Sequence, residues 1–464
     1  MTWANKAVFF LICTLIVFTT MAYGTVHQPI IALFYALVAL AGVLWAADCF
    51  FSGRFRFNRS LLQLPLFLAG IYGFIQIIPF GTIPDVAGVS GIPRTISLDP
   101  FNTQLTAAHF IILSLFLAVV LVYLESTKRL RTLVNVITIF GFLFAFFGIL
   151  QSFLSPNKIY GLYDTAAGGS FGSFVNRHNF AAFIEMAIAL PLGLIFAGSI
   201  KKDKRLLYIT AIALMGTSLL LSKSRGGLIA FVAELVLLVI LSRKAGDSKQ
   251  FVLKAALAGL LLVGIIGGAI FVGGESSLTR FAETATSTDK NVTIDRSHIW
   301  KVTLSSIAHN MPLGAGLSGY GVSYTPYDNY NGLERVEQAH NDYLQVLSDA
   351  GIVGLAIGIF FIFALARAGM RSVRTKNTFR RGIAIGALSG CFAILVHSMF
   401  DFVLHITAIT VLFLCLLGLV VASGREYPDD EPDEDPAPSP RRKNASVTSI
   451  SEARRRAEAE DQVK

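Results

Sequence analysis

The run LTAAHFIILSLFLAVVLVYL, residues 105–124, holds no Asp, Glu, Lys or Arg. As a helix rising about 1.5 Å per residue it is about 30 Å long, the thickness of a bilayer's hydrocarbon core. Phe251–Val272 and Phe402–Ala422 are close to the same length and nearly free of charge. The whole chain follows suit. Of its 464 residues 54% are hydrophobic and only 15% charged, against about 25% charged in soluble domains, and the mean hydropathy is +0.62. A soluble fold would have to hide this apolar surface from water, whereas a bilayer solvates it. The reading is an all-α, polytopic membrane helix bundle.

Apolar periodicity places about twelve transmembrane helices near 6–23, 30–50, 61–79, 105–124, 132–153, 180–200, 206–222, 226–242, 252–273, 346–366, 381–400 and 402–422. The first, Ala7–Tyr23, is read as an uncleaved helix: only Lys6 precedes it as a basic residue, and no convincing small-x-small cleavage site follows. The connectors alternate in charge. One set carries Arg54, Arg56 and Arg59, then Lys128, Arg129 and Arg131, then Lys201, Lys202, Lys204 and Arg205, then Arg243, Lys244 and Lys249, then Arg367, Arg371, Arg374, Lys376, Arg380 and Arg381. The other set, 24–29, 80–104, 154–179, 274–345 and the turn at Asp401, is long or nearly neutral. The positive-inside rule makes the basic set cytoplasmic and puts both termini there.

The net charge of +9 is therefore a topology signal, and no nucleic-acid partner is expected. Cys13, Cys49, Cys391 and Cys415 all fall in apolar runs with no metal or disulfide spacing. From about Glu426 the chain is rich in Pro, Asp, Glu and Arg, with basic stretches at Arg441–Lys443 and Arg454–Arg456. It cannot bury enough to order itself, so 426–464 reads as a disordered cytoplasmic tail. The outward segment 274–345, between helices nine and ten, is polar but aromatic, with Trp300, Tyr320, Tyr324, Tyr327, Tyr330 and Tyr343. That content and a helical pattern near Ser297–Ala308 predict a large ordered loop acting as a lid.

Chemistry-bearing residues gather at the outer face. In Ser222-Lys223-Ser224-Arg225-Gly226-Gly227 two cations break the charge pattern of the tight turns. Glycines allow close backbone approach, and the next helix N-terminus adds free N–H groups and a positive dipole. An anion site results, with Arg225 ahead of Lys223 because a guanidinium suits bidentate phosphate contacts; snorkelling to headgroups is the plainer reading. His340, in Ala339-His340-Asn341-Asp342-Tyr343, sits at the membrane boundary, where an imidazole takes a proton near neutral pH. A lone histidine there is more often structural than catalytic. Arg296, opening the lid pattern, reads equally as a second clamp or a surface residue. Arg177 and its amide neighbours offer a further outer cation, and Asp401 reads as the partner of one of the nearby cations or as a helix cap. Glu234 lies in mid-membrane, where a carboxylate is costly.

With these residues the chain resembles the O-antigen ligase/polymerase superfamily of bacterial membrane glycosyltransferases. The matching pieces are Ser-Arg-Gly-Gly at 224–227, the Arg296…Trp300 pair, His340-Asn341 followed by Gly351-Ile352-Val353-Gly354, and His397-Ser398-Met399-Phe400-Asp401-Phe402. They cover roughly 160–420. The resemblance implies N-terminal membrane helices in 1–160 and a catalytic membrane region in 161–425. It also implies an inner-membrane location and a periplasmic active site with no metal or other cofactor. The donor would be an undecaprenyl-diphosphate-linked glycan, and the acceptor a lipid A core, a protein or another lipid-linked glycan. By similarity His340 is the base, Arg225, Arg296 and Lys223 hold the diphosphate, and Asn341, Arg177 and Asp401 support them. Ligase and polymerase need the same donor site, so both stay open. A lipid or polysaccharide transporter or flippase is the alternative from another class. It would need polar groups along a midplane path and broken helices in paired halves.

Overall fold

A computed structural model of the chain describes residues 2–85, 88–156, 158–165, 169–243, 248–273, 296–330 and 335–427. The expected tail from 428 onward, the start of the lid segment at 274–295 and Lys244 of the basic set lie outside these residues.

The described chain is an all-α bundle. Its helices are α1 (Trp3–Met21), α2 (Gln28–Ser52), α3 (Leu64–Gln76), α4 (Pro100–Tyr123), α5 (Thr127–Leu154), α6 (Arg177–Ala197), α7 (Arg205–Leu221), α8 (Arg225–Leu241), α9 (Ser248–Gly273), α10 (Arg296–Asn310), α11 (Tyr320–Tyr324), α12 (Asp342–Ser372), α13 (Thr378–His397) and α14 (Thr407–Ser423). A two-stranded antiparallel ribbon, β1 (Lys158–Ile159) and β2 (Tyr163–Asp164), lies between α5 and α6. A helix stands at each of the twelve apolar segments. Among the described residues nine helices are long and apolar enough to cross a membrane, and Leu61–Gln76 and Thr407–Ser423 are shorter apolar helices.

Local signals set the helix ends. Asn176, Ser224, Asn341 and Asn377 are N-caps whose side chains accept backbone N–H groups of the first turn. Gly53 and Gly198 end α2 and α6 in the left-handed conformation. The last apolar segment starts later than its hydropathy suggests. Val403–His405 forms a 3-10 turn and α14 begins only at Thr407, because the chain first doubles back at Asp401.

The core runs through α6 and α14, which are buried nearly all round, as their unbroken apolar sequences require. A ridge of small residues brings α6 and α13 together. A side chain at Gly386 would meet Ala189 O at 2.5 Å, and one at Gly390 would meet Ala189 Cβ at 3.0 Å. Small residues four apart let two backbones touch, which is how helices associate where no water drives them.

Helix α12 is broken. Gly351 has φ 56° and ψ −143°, so the segment expected as one helix is two joined at a kink. The loop after α10 fills the break: Ile352 N donates to Pro312 O, Ala315 N to Ser348 O and Gly316 N to Asp349 O. Gln76 of α3 donates to Leu313 O and Asp349 O and accepts from Leu317 N. The freed backbone groups are thus met inside the protein, the condition for irregular backbone at membrane depth.

The described part of the lid segment is ordered as α10, α11 and the turn after them. Ile299, Val302, Tyr320, Tyr324, Val336 and Ala339 form their own apolar cluster, with Trp300, Tyr327 and Leu344 against it. Arg296 precedes Ile299 of this cluster in the chain, and His340 directly follows Ala339.

Candidate active site

The centre of the site is Asp401, in the tight turn between α13 and α14. The turn is closed by Phe400 N and Asp401 N donating to His397 O, at 2.8 and 3.2 Å. The Asp401 side chain is only 3% exposed. Its Oδ1 accepts from its neighbour's backbone, Phe402 N, at 2.9 Å and faces His340 Nδ1 at 3.3 Å. Its Oδ2 lies 3.6 Å from Arg296 Nη2 and 3.8 Å from His178 Nδ1. Burial by itself would raise this carboxyl's pKa. The hydrogen bond from His340 and the charges of His178, His340 and Arg296 outweigh it and hold the group well below the usual carboxylate range.

His340 is held from both sides. It has φ 49°, a left-handed conformation that costs a non-glycine residue about 1–2 kcal/mol. The neighbouring backbone enforces it. Ala339 N donates to Gln345 Oε1 at 2.8 Å, and Ala339 O accepts from Trp300 Nε1 at 3.0 Å. Asn341 Oδ1 caps α12 by accepting from Tyr343 N and Leu344 N, and its Nδ2 donates to Met399 O at 3.0 Å. Asp342 N donates to Ser398 O at 2.8 Å. The Asp342 carboxylate bonds His405 Nδ1 at 2.9 Å. Burial would lower the His405 imidazole's pKa, but that bond and the charges of Asp342 and Asp349 raise it. The His-Asn-Asp block is therefore riveted to the 398–405 turn. With Nδ1–H directed at Asp401, the lone pair of His340 sits on Nε2, and Phe402 packs edge-on against the ring with centroids 4.9 Å apart.

The Ser-Arg-Gly-Gly turn joins this centre through His178 in the first turn of α6. His178 Nδ1 meets Ser224 Oγ at 2.9 Å, and Ser224 Oγ accepts from Gly227 N at 3.1 Å as the N-cap of α8. Lys223, with φ 59°, and Arg225 are exposed on either side of this cap. The positive end of the α8 dipole is thus one imidazole away from Asp401.

Of the residues singled out from sequence, Arg296, His340 and Asp401 meet directly. Lys223 and Arg225 lie on the rim reached through Ser224 and His178. Arg177 is the first residue of α6, beside His178 in the chain. Asn341 is a cap and brace. Sequence reasoning quoted Ser224 in its turn but gave no role to it or to His178, which link two of the motifs. Their only local signal was their place within a cap sequence and beside the paired cations.

Arg177, Arg225, His340 and Asp401 lie at helix ends opposite those joined by the basic connectors 124–131, 198–205 and 372–381, and Arg296 lies beside Asp401. One end of the bundle carries the site and the other the basic connectors.

Compared with known families, residues 210–359 match the family model described as O-antigen ligase. The match runs from α7 into the second half of α12 and includes Arg225, Arg296 and His340, whereas His178 and Asp401 fall outside it. No curated protein matches the chain.

Proposed function

We propose, for a chain whose residues 210–359 match the family model described as O-antigen ligase, that it transfers a glycan from undecaprenyl diphosphate to an acceptor hydroxyl at the periplasmic face of a bacterial inner membrane. The supporting observation is the position of Asp401, which faces His340 at 3.3 Å and Arg296 at 3.6 Å from its two oxygens. One carboxylate orients a base and a cation toward the same space.

The acceptor oxygen attacks the anomeric carbon, the bond from that carbon to the phosphate oxygen breaks, and the configuration inverts. His340 Nε2 takes the acceptor's proton, a contribution of about 10²–10⁴-fold for a positioned base. The resulting imidazolium is stabilised by Asp401 through Nδ1. The departing diphosphate gathers charge, which Arg225, Arg296 and Lys223 neutralise together with the α8 N-terminus. Arg296 is held by Asp401 before reaction, so little reorganisation of that cation opposes the transfer. Cations take the part a metal could play, so metal-independent transfer belongs to the proposal.

The topology in this reading has twelve spans, the basic connectors in the cytoplasm and both termini there. The donor's lipid stays in the bilayer with its diphosphate at the outer surface. The acceptor is a lipid A core, a protein or a second lipid-linked glycan. The test is deletion of the gene followed by analysis of surface polysaccharide and lipid-linked intermediates. Single-repeat products mark a lost polymerase, and accumulated long lipid-linked chains mark a lost ligase. Unchanged glycans defeat the reading and return the chain to transport.

A further inference from the structure

Beneath the Asp401 junction lies a second polar layer, wholly buried, built from the same three helices. Helix α6 carries His178 in its first turn and Glu185 roughly two turns deeper. Helix α8 carries Gly226 in its first turn and Glu234 roughly two turns deeper. Helix α13 ends at His397, one turn before Asp401. The Glu185 and His397 side chains are both 0% exposed and bond through Oε1 and Nδ1 at 2.7 Å. Glu185 Oε2, His397 Nε2 and both carboxyl oxygens of Glu234 are buried with no hydrogen-bond partner among the described residues. Glu234 is close enough to Glu185 for their charges to interact.

Holding α6 against α13 does not require this layer, because the small-residue ridge does so directly. Ionisable groups inside a membrane are costly. A buried ion pair is often matched or bettered in stability by apolar residues of the same size. The layer does, however, touch both halves of the site above it. His397 O accepts from Phe400 N and Asp401 N, so His397 anchors the turn that presents Asp401. The His397 ring also lies flush against Gly226. A Cβ placed there would meet His397 Cδ2 at 3.0 Å and Nε2 at 3.1 Å. Gly226 directly follows Arg225, so the ring sets how near the cationic turn comes to the Asp401 turn. Glu185 in turn fixes the ring.

We propose that Glu185 and His397 are positioning residues of the transfer reaction, their hydrogen bond setting the separation between the Arg225 turn and the Asp401 turn. This rests on the transfer reading above.

The experiment measures kcat, donor KM and melting temperature for protein purified into lipid nanodiscs, with a synthetic undecaprenyl-diphosphate glycan as donor. Glu185→Met removes the bond and keeps the volume. It is expected to lower kcat by about tenfold or more, since small displacements of reacting groups cost up to about 10²-fold, without lowering the melting temperature. Glu185→Gln keeps an acceptor for Nδ1 and is expected to retain about a third of kcat or more, with the wild-type pH profile. A wild-type kcat in Glu185→Met overturns the proposal, and so does Glu185→Gln proving as impaired as Glu185→Met. Should Glu185→Met fail to fold, Gly226→Ala tests the same contact from the other side. Its methyl group presses on the His397 ring, and a raised donor KM with about tenfold lower kcat is expected; unaltered kinetics overturn the proposal. Absence of transfer by the wild-type protein itself would instead sink the functional reading.

Discussion

Asp401 and His340 stand 61 residues apart in the chain, yet their side chains meet at 3.3 Å between Oδ1 and Nδ1. The same carboxylate approaches Arg296 with its other oxygen, at 3.6 Å. A single buried acid therefore aligns the two kinds of group the proposed reaction needs.

The first prediction concerns that acid. Asp401→Asn keeps the shape and removes the charge. It leaves His340 without a counter-ion as the imidazole gains a proton. A fall in kcat of about 10²–10⁴-fold is expected, in line with loss of an orienting carboxylate in other acid–base sites. Donor KM should change much less. Steady-state kinetics on purified protein check it, and a kcat within a factor of three of wild type rejects the role.

The cationic rim gives a second. Arg225→Lys replaces a planar fork with a point charge. Loss of one preorganised charge contact typically costs about 10²–10³-fold in rate. Most of the activity should go, and Arg296→Lys should behave alike while also loosening Asp401. Wild-type turnover in Arg225→Lys argues against a diphosphate contact.

His340 separates conformation from chemistry. His340→Ala should fold normally and lose transfer. His340→Gly should also be inactive but more stable than His340→Ala by about 1 kcal/mol, because glycine adopts φ 49° without strain. Melting curves of the two variants, side by side, decide this. Equal stability would mean the backbone relaxes there.

Stability should depend on pH through His405. Its bond to Asp342 raises the imidazole's pKa above its unfolded value. The raised-pKa group contributes fully below about pH 6.5 and loses that contribution as pH climbs through the folded value. The melting-temperature gap between wild type and His405→Gln should thus be largest near pH 6 and shrink in alkali. Asp401, whose pKa is lowered, works in the opposite sense: its contribution is present above about pH 4 and fades only in stronger acid. A gap that widens with pH contradicts the His405 assignment.

The break in α12 yields a prediction about folding. Gly351 has φ 56°, and a side chain there would run into Pro312 O. Gly351→Ala should displace the 312–318 loop and cost more than about 3 kcal/mol, well above the usual single-site effect. Yield of monodisperse protein in detergent and its melting temperature measure it. A wild-type melt would show that the loop can yield.

Hydropathy and charge order made the helical bundle, the approximate places of its helices and its two unlike ends legible. These are properties of contiguous segments: a charge-free run such as 105–124 must leave water wherever it sits, and Lys or Arg at its end resists crossing. The cation turn at 222–227 and the His340 block could likewise be seen, since caps and glycines act locally. Hydropathy could not show the kink at Gly351, because an apolar run reads alike whether straight or broken; the loop from 312 that fills it comes from elsewhere in the chain. Nor could it reveal that His178 links Ser224 to Asp401, or that Glu185 finds His397 212 residues away. Those pairings depend on which helices lie side by side, settled by the fit of small residues between α6 and α13 and by the turn at Asp401. Packing of this kind joins distant parts of the chain and leaves no periodic trace in either.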